Sequence, residues 1–148
     1  MQVQPIETIA HTIQLAVAPV FLLTGVSALL GVFTTRLARI VDRARRLEAD
    51  HPHATGDDAQ LMHEELDALA TRARMVNVAI SLATGTAILV CLTIVLLFAS
   101  SLVTTPLSAF VPVLFIVAML ALISALAIFL REILVATSTL RIGPKRSA

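Results

Sequence analysis

The chain has 148 residues, 57% of them apolar, and a mean hydropathy of +0.91, far above that of a soluble domain of this length. Eleven Lys and Arg against ten Asp and Glu leave a formal net charge of +1. The basic residues sit beside apolar runs and alternate with Asp42, Glu48 and Asp50, which speaks against nucleic acid as a partner. The single Cys91 excludes an intrachain disulfide and a multi-cysteine zinc site, and deep in an apolar run it reads as a small core residue.

Residues 5–17 predict an amphipathic helix. Glu7, His11 and Gln14 are spaced four and three apart and so share one face, while Ile6, Ile9, Ile13 and Val17 take the opposite one. Pro5 suits a first helical turn through its fixed φ, and Glu7 suits it through the helix dipole. Pro19 would clash with the carbonyl of Leu15 and is expected to kink or break the helix there. The favoured reading is an interfacial helix on the outer leaflet with its polar face in water. The alternative places Glu7, His11 and Gln14 around the outer mouth of an oligomeric pore, where rings of Glu7 would favour cations.

The first span is predicted over residues 19–35, extending back to 13. Ile13–Thr35 is 23 residues, about 35 Å as helix, enough to cross ~30 Å of hydrocarbon with some tilt. The N-terminus has no basic n-region, and the apolar run ends directly in an arginine-rich stop-transfer segment, so it does not read as a cleavable signal peptide.

Residues 36–75 predict an antiparallel helical hairpin. Leu37, Ile40, Val41, Ala44 and Leu47 recur at helical spacing, and Arg36, Arg39, Arg43 and Arg46 hold another face. Asp42 stands four residues before Arg46, the favourable order for an intrahelical pair. His51-Pro52-His53 through Gly56 ends the first arm, and Asp57 with Gln60 forms a capping-box variant at the start of the second. The returning arm carries Met62, Leu66, Leu69, Ala73 and Val76 at coiled-coil spacing. The arginine face reads first as stop-transfer charge, then as a patch for anionic headgroups worth about 1 kcal/mol per Arg, or as an anion vestibule. His51, His53, Asp57, Asp58, His63 and Glu64 straddle the loop without a compact metal motif; solvated turn residues explain them more cheaply than a metal site.

Met75–Leu130 is an uncharged run of 56 residues, suited to two spans. The polar cluster Ser100, Ser101, Thr104, Thr105, Pro106 and Ser108 divides it into spans at 76–102 and 110–130, with Pro112 tolerated in the first turn of the latter. Backbone groups in lipid must be paired within the segment, so all three spans are helices. Trp and Tyr are absent, and Phe33, Phe98, Phe110 and Phe129, near the predicted span ends, are read as a partial substitute for the usual aromatic belt. Glu132, next to Arg131, is expected to pair with Arg36 or Arg74 across the bundle. Ser81 with Gly85, and Ala121 with Ala125, are spaced for close helix contact.

All the basic residues lie between the first and second spans or after the third, in residues 36–74 and 131–148. By the positive-inside rule both segments face the cytoplasm, with the N-terminus and the 103–109 turn outside. The sequence holds no nucleophile with its base, no phosphate loop and no charged residue within the core of a span, so neither an enzyme nor a cofactor is expected.

Ala18-Pro19-Val20-Phe21-Leu22-Leu23-Thr24-Gly25 and the stretch from Arg36 to Glu48, RLARIVDRARRLE, resemble a bacterial membrane family catalogued as domain of unknown function 2721, and the later spans extend the likeness over most of the chain. The resemblance implies a small membrane protein of about three spans and brings no activity or site residue. The sequence therefore predicts an all-α, multi-pass protein of the bacterial inner membrane. It is expected to act as a non-enzymatic, self-associating scaffold in contact with anionic lipid. The alternative is a homo-oligomeric channel for ions or small solutes, lined by the first helix.

Overall fold

The computed structural model describes residues 4–50, 57–102 and 110–138, and the side chains of 10–49, 59–100 and 110–136. Three helices account for all of them: α1 (Gln4–Asp50), α2 (Asp57–Leu102) and α3 (Phe110–Ser138). Each contains a stretch long and apolar enough to cross a membrane. At 47 and 46 residues, α1 and α2 are about 70 Å long, more than twice a hydrocarbon thickness, whereas the 29 residues of α3 reach about 43 Å. Two helices therefore project well beyond any bilayer that all three cross.

The packing follows a heptad lattice. In α2 the buried positions are Leu69, Val76, Ala79, Ala83, Thr86, Val90 and Thr93, the three–four alternation of a coiled-coil seam. In α3 they are Ala118, Leu122, Ala125, Glu132 and Ala136, and in α1 the series Thr12, Pro19, Val26, Phe33, Ile40 steps by seven. α2 lies between the other two and packs along both. Its antiparallel register with each is constant. Arg43 meets Glu65, and seven residues along both helices Arg36 and Arg72 meet on Glu132. Arg72 meets Glu132, and fourteen residues along both helices Thr86 meets Ala118. A register kept over whole heptads is the signature of left-handed supercoiled packing.

Small residues set the spacing. Ala79, Ala83, Ala118 and Ala125 are fully buried, and the Thr86 hydroxyl lies 3.4 Å from the Ala118 carbonyl across the α2–α3 contact while also bonding the Leu82 carbonyl at 3.0 Å. The pair Ser81 and Gly85 does not carry this contact: Ser81 is exposed, and a Cβ on Gly85 would meet nothing within 4 Å. The seam runs through Ala79 and Ala83, two residues away in each case.

Three other expectations change. α1 runs unbroken through Pro19, whose buried place in the seven-residue series lets tertiary packing hold the helix where an isolated one would break. Cys91 is exposed on the outer face of α2 rather than in the core, because the apolar run it occupies is apolar all round and only its heptad stripe is buried. Phe33 is fully buried with its ring 4.4 Å from that of Phe129, so this pair belongs to the core and not to a belt. The break at 51–56, the 103–109 turn and the tail beyond 138 lie outside the described residues, as does the capping side chain of Asp57.

Candidate functional site

The expected seam residues at the ends of α1 and α2 are packed inward: Ile40 and Leu69 are buried, and Leu37, Ala44, Leu47 and Ala73 pack against the same core. Between the layer of Phe33 and Val76 and the layer of Ile40 and Leu69, the lattice does something different. Arg72 continues the series Thr93, Thr86, Ala79 back by seven, and Glu132 continues Ala118, Ala125 forward by seven. Two charged residues therefore stand where the pattern otherwise places alanine or threonine.

They are joined by a third. Arg36 Nε donates to Glu132 Oε2 at 3.3 Å, while Arg72 Nε donates to Oε1 at 3.1 Å and an Arg72 terminal nitrogen lies 3.0 Å from the same oxygen as an ion pair. The Glu132 side chain is 0% exposed, against 33% for Arg36 and 21% for Arg72. A carboxylate with no water contact must recover its lost hydration from charged hydrogen bonds, and here both oxygens do so. The arginines keep part of each guanidinium in solvent. Each of the three helices contributes one member, so this group ties the whole bundle at one level. From Phe110 to Glu132 is ~33 Å of helix, so the triad lies about one hydrocarbon thickness from the start of α3.

Arg74, the other expected partner of Glu132, is exposed on α2 instead, because position 74 lies two residues, some 200° of helix, from the heptad position that Arg72 occupies. Arg43 pairs outward, to Glu65 Oε1 at 2.7 Å and 3.2 Å, with side chains 60% and 44% exposed. Such an exposed pair contributes no more than about 1 kcal/mol. Asp42 and Arg46 are not among the ion pairs of the described residues; both are exposed.

Two clefts open beside the triad. One, of about 700 Å³, runs between α1 and α3 along Ala28, Gly31, Val32 and Phe129 and ends at Arg36 and Arg39. The other, of about 180 Å³, lies between α1 and α2 and is bounded by Arg36, Arg39, Arg43 and Arg72 over Ile40 and Leu69. Three of the four arginines expected on the basic face, Arg36, Arg39 and Arg43, are thus brought together, and Arg46 lines neither cleft. Of the N-terminal set, His11 and Gln14 are exposed on α1 and the side chain of Glu7 lies outside the described residues. The loop histidines His51 and His53 lie outside them as well; His63 Nδ1 is 2.7 Å from the Ala59 carbonyl, one turn back along α2.

Arg72 is the residue that sequence reasoning missed. Its signal was present, since a seven-residue step back from Thr86 and Ala79 lands on it. A family model described as "Protein of unknown function (DUF2721)" matches residues 16–142. Comparison with curated proteins and with solved structures gives no match.

Proposed function

The chain belongs to the DUF2721 family, and on that premise we propose that it is a non-enzymatic, self-associating scaffold of the bacterial inner membrane. In this reading the three helices span the bilayer, the arginine-bearing ends of α1 and α2 face the cytoplasm as a helical hairpin, and the N-terminal turns of α1 face outward. The observation that carries it is the length of α1 and α2 beyond the triad. From Arg36 to Asp50 and from Asp57 to Arg72 each helix continues for about 22 Å, clamped by Ile40 and Leu69 and by the Arg43–Glu65 pair. Its outer surface carries Arg45, Arg46, Glu48, Glu64 and Asp67, all exposed. A paired helical arm with mixed charge, and with no buried catalytic group among its described residues, suits docking of a protein partner better than chemistry.

A second reading, a homo-oligomeric channel, has one observation in its favour. His11, Gln14, Ala18 and Gly25 all lie exposed on α1, away from the heptad seam, where a neighbouring copy could meet them. The bundle's own centre is filled by side chains, so a pore would have to form between copies. Assembly and flux separate the two. The scaffold reading predicts an oligomer in native lipid whose liposomes leak ions no faster than empty ones, with or without Glu7→Gln. A leak that changes with Glu7→Gln moves the reading to the channel, and a monomer in native lipid removes both.

A further inference from the structure

The larger cleft has an apolar body and a cationic mouth. Gly31 and Val32 on α1 face Phe129 and Ile133 on α3, and Arg36 and Arg39 close one end. Nothing lies within 4 Å of where a Gly31 side chain would begin, so the groove is open along its wall. From Ala28 to Arg39 it extends ~16 Å along the helix axis. That is the depth over which a phospholipid passes from headgroup into its acyl chains.

The charges at the mouth do not cancel. Arg36 and Arg39 line both clefts, and Arg43 and Arg72 stand with them around the smaller one. Glu132 answers Arg36 and Arg72, and Glu65 answers Arg43, so four positive charges face two negative ones. Among the described residues no carboxylate pairs with Arg39. We propose that this groove is a binding site for one anionic diacyl phospholipid, its phosphate between Arg36 and Arg39 and its acyl chains along Val32 and Phe129. Basic pockets between helices at a membrane boundary recognise headgroups in this way. The guanidinium of Arg36 is already oriented by Glu132, so one of the two phosphate ligands is positioned before the lipid arrives. The site rests on the membrane-spanning reading above, with the triad near the headgroup level.

The test is native mass spectrometry of the full chain in mild detergent, titrated with dioleoyl phosphatidylglycerol or dioleoyl phosphatidylcholine. The wild-type chain should retain one phosphatidylglycerol with at least a tenfold preference over phosphatidylcholine. Arg39→Gln should lower that occupancy about fivefold. Val32→Trp, which fills the groove and leaves every charge in place, should do the same. Arg74→Gln, an exposed arginine outside the groove, should change it less than twofold. Equal losses for Arg39→Gln and Arg74→Gln, with none for Val32→Trp, would mean a diffuse basic surface and overturn the site. Val32→Trp changing the oligomer alone would mean that a second copy occupies the groove, and would overturn it too. Reconstitution into pure phosphatidylcholine vesicles separates the two levels of failure. A chain that inserts there without lipid preference loses only this site, whereas one that fails to insert loses the membrane-spanning reading with it.

Discussion

Replacing both Arg36 and Arg72 with leucine should destabilise the bundle by more than the sum of the two single replacements. Either single change leaves the fully buried Glu132 with one charged donor and should cost about 1–2 kcal/mol. The double change leaves a carboxylate with neither partner nor water, for which about 3–5 kcal/mol is the usual loss. Adding Glu132→Leu to the double variant should restore most of it, because an apolar side chain fits the heptad seam and leaves nothing to compensate. Denaturation in mixed micelles, followed by helical signal, reads all four chains. Additive losses, or a triple variant no more stable than the double, would show that the three groups do not act as one unit. The triple variant should therefore be about as stable as the natural chain, and its loss should be elsewhere. A polar residue at one core position of a coiled coil sets register at the expense of stability, so the triple variant should tolerate a slipped α3 and give more than one oligomeric form.

The second prediction concerns the layer directly inside the triad. Phe33→Ala should cost about 3 kcal/mol, near the low end for a buried Phe, since lipid chains are as apolar as the side chain they would replace. The loss is of packing against Phe129, 4.4 Å away, rather than of shelter from water. Phe110→Ala, at a side chain 65% exposed at the start of α3, should leave stability within about 0.5 kcal/mol. The same micelle denaturation compares the two. Equal losses would place Phe33 on the lipid-facing surface and remove the layer.

The starts of α2 and α3 were legible because two strong signals agree on them. Apolar runs have a minimum length to cross a bilayer, and turn residues cluster at their breaks. α3 begins at Phe110 as the polar cluster from Ser100 to Ser108 implies, and α2 begins at Asp57. The face each span buries was not legible in the same way. In a helix apolar all round, hydropathy does not distinguish lipid from neighbour, so Cys91 and Phe33 were each assigned the wrong surroundings. The polar arms were easier, since there the seam of Leu69 and Val76 is the apolar minority. The triad was half visible. Glu132 stood out as the acidic residue nearest a span end, and Arg36 as a partner in reach. Arg72 emerges only when the seven-residue series of α2 is carried from the apolar stretch into the polar arm, where Thr86 and Ala79 give way to an arginine. Charge alone favoured Arg74 equally. Heptad phase decides between them.

The proposed docking face and lipid site both require the arginine-bearing ends of the three helices to lie together on the cytoplasmic side. Paired reporter fusions after Ala54 and after Thr105, each made with a cytoplasm-active and a periplasm-active enzyme, measure that placement. The Ala54 fusion should be active only with the cytoplasmic reporter and the Thr105 fusion only with the periplasmic one. Periplasmic activity after Ala54, or the same side for both positions, would contradict the three-span arrangement and the docking face built on it.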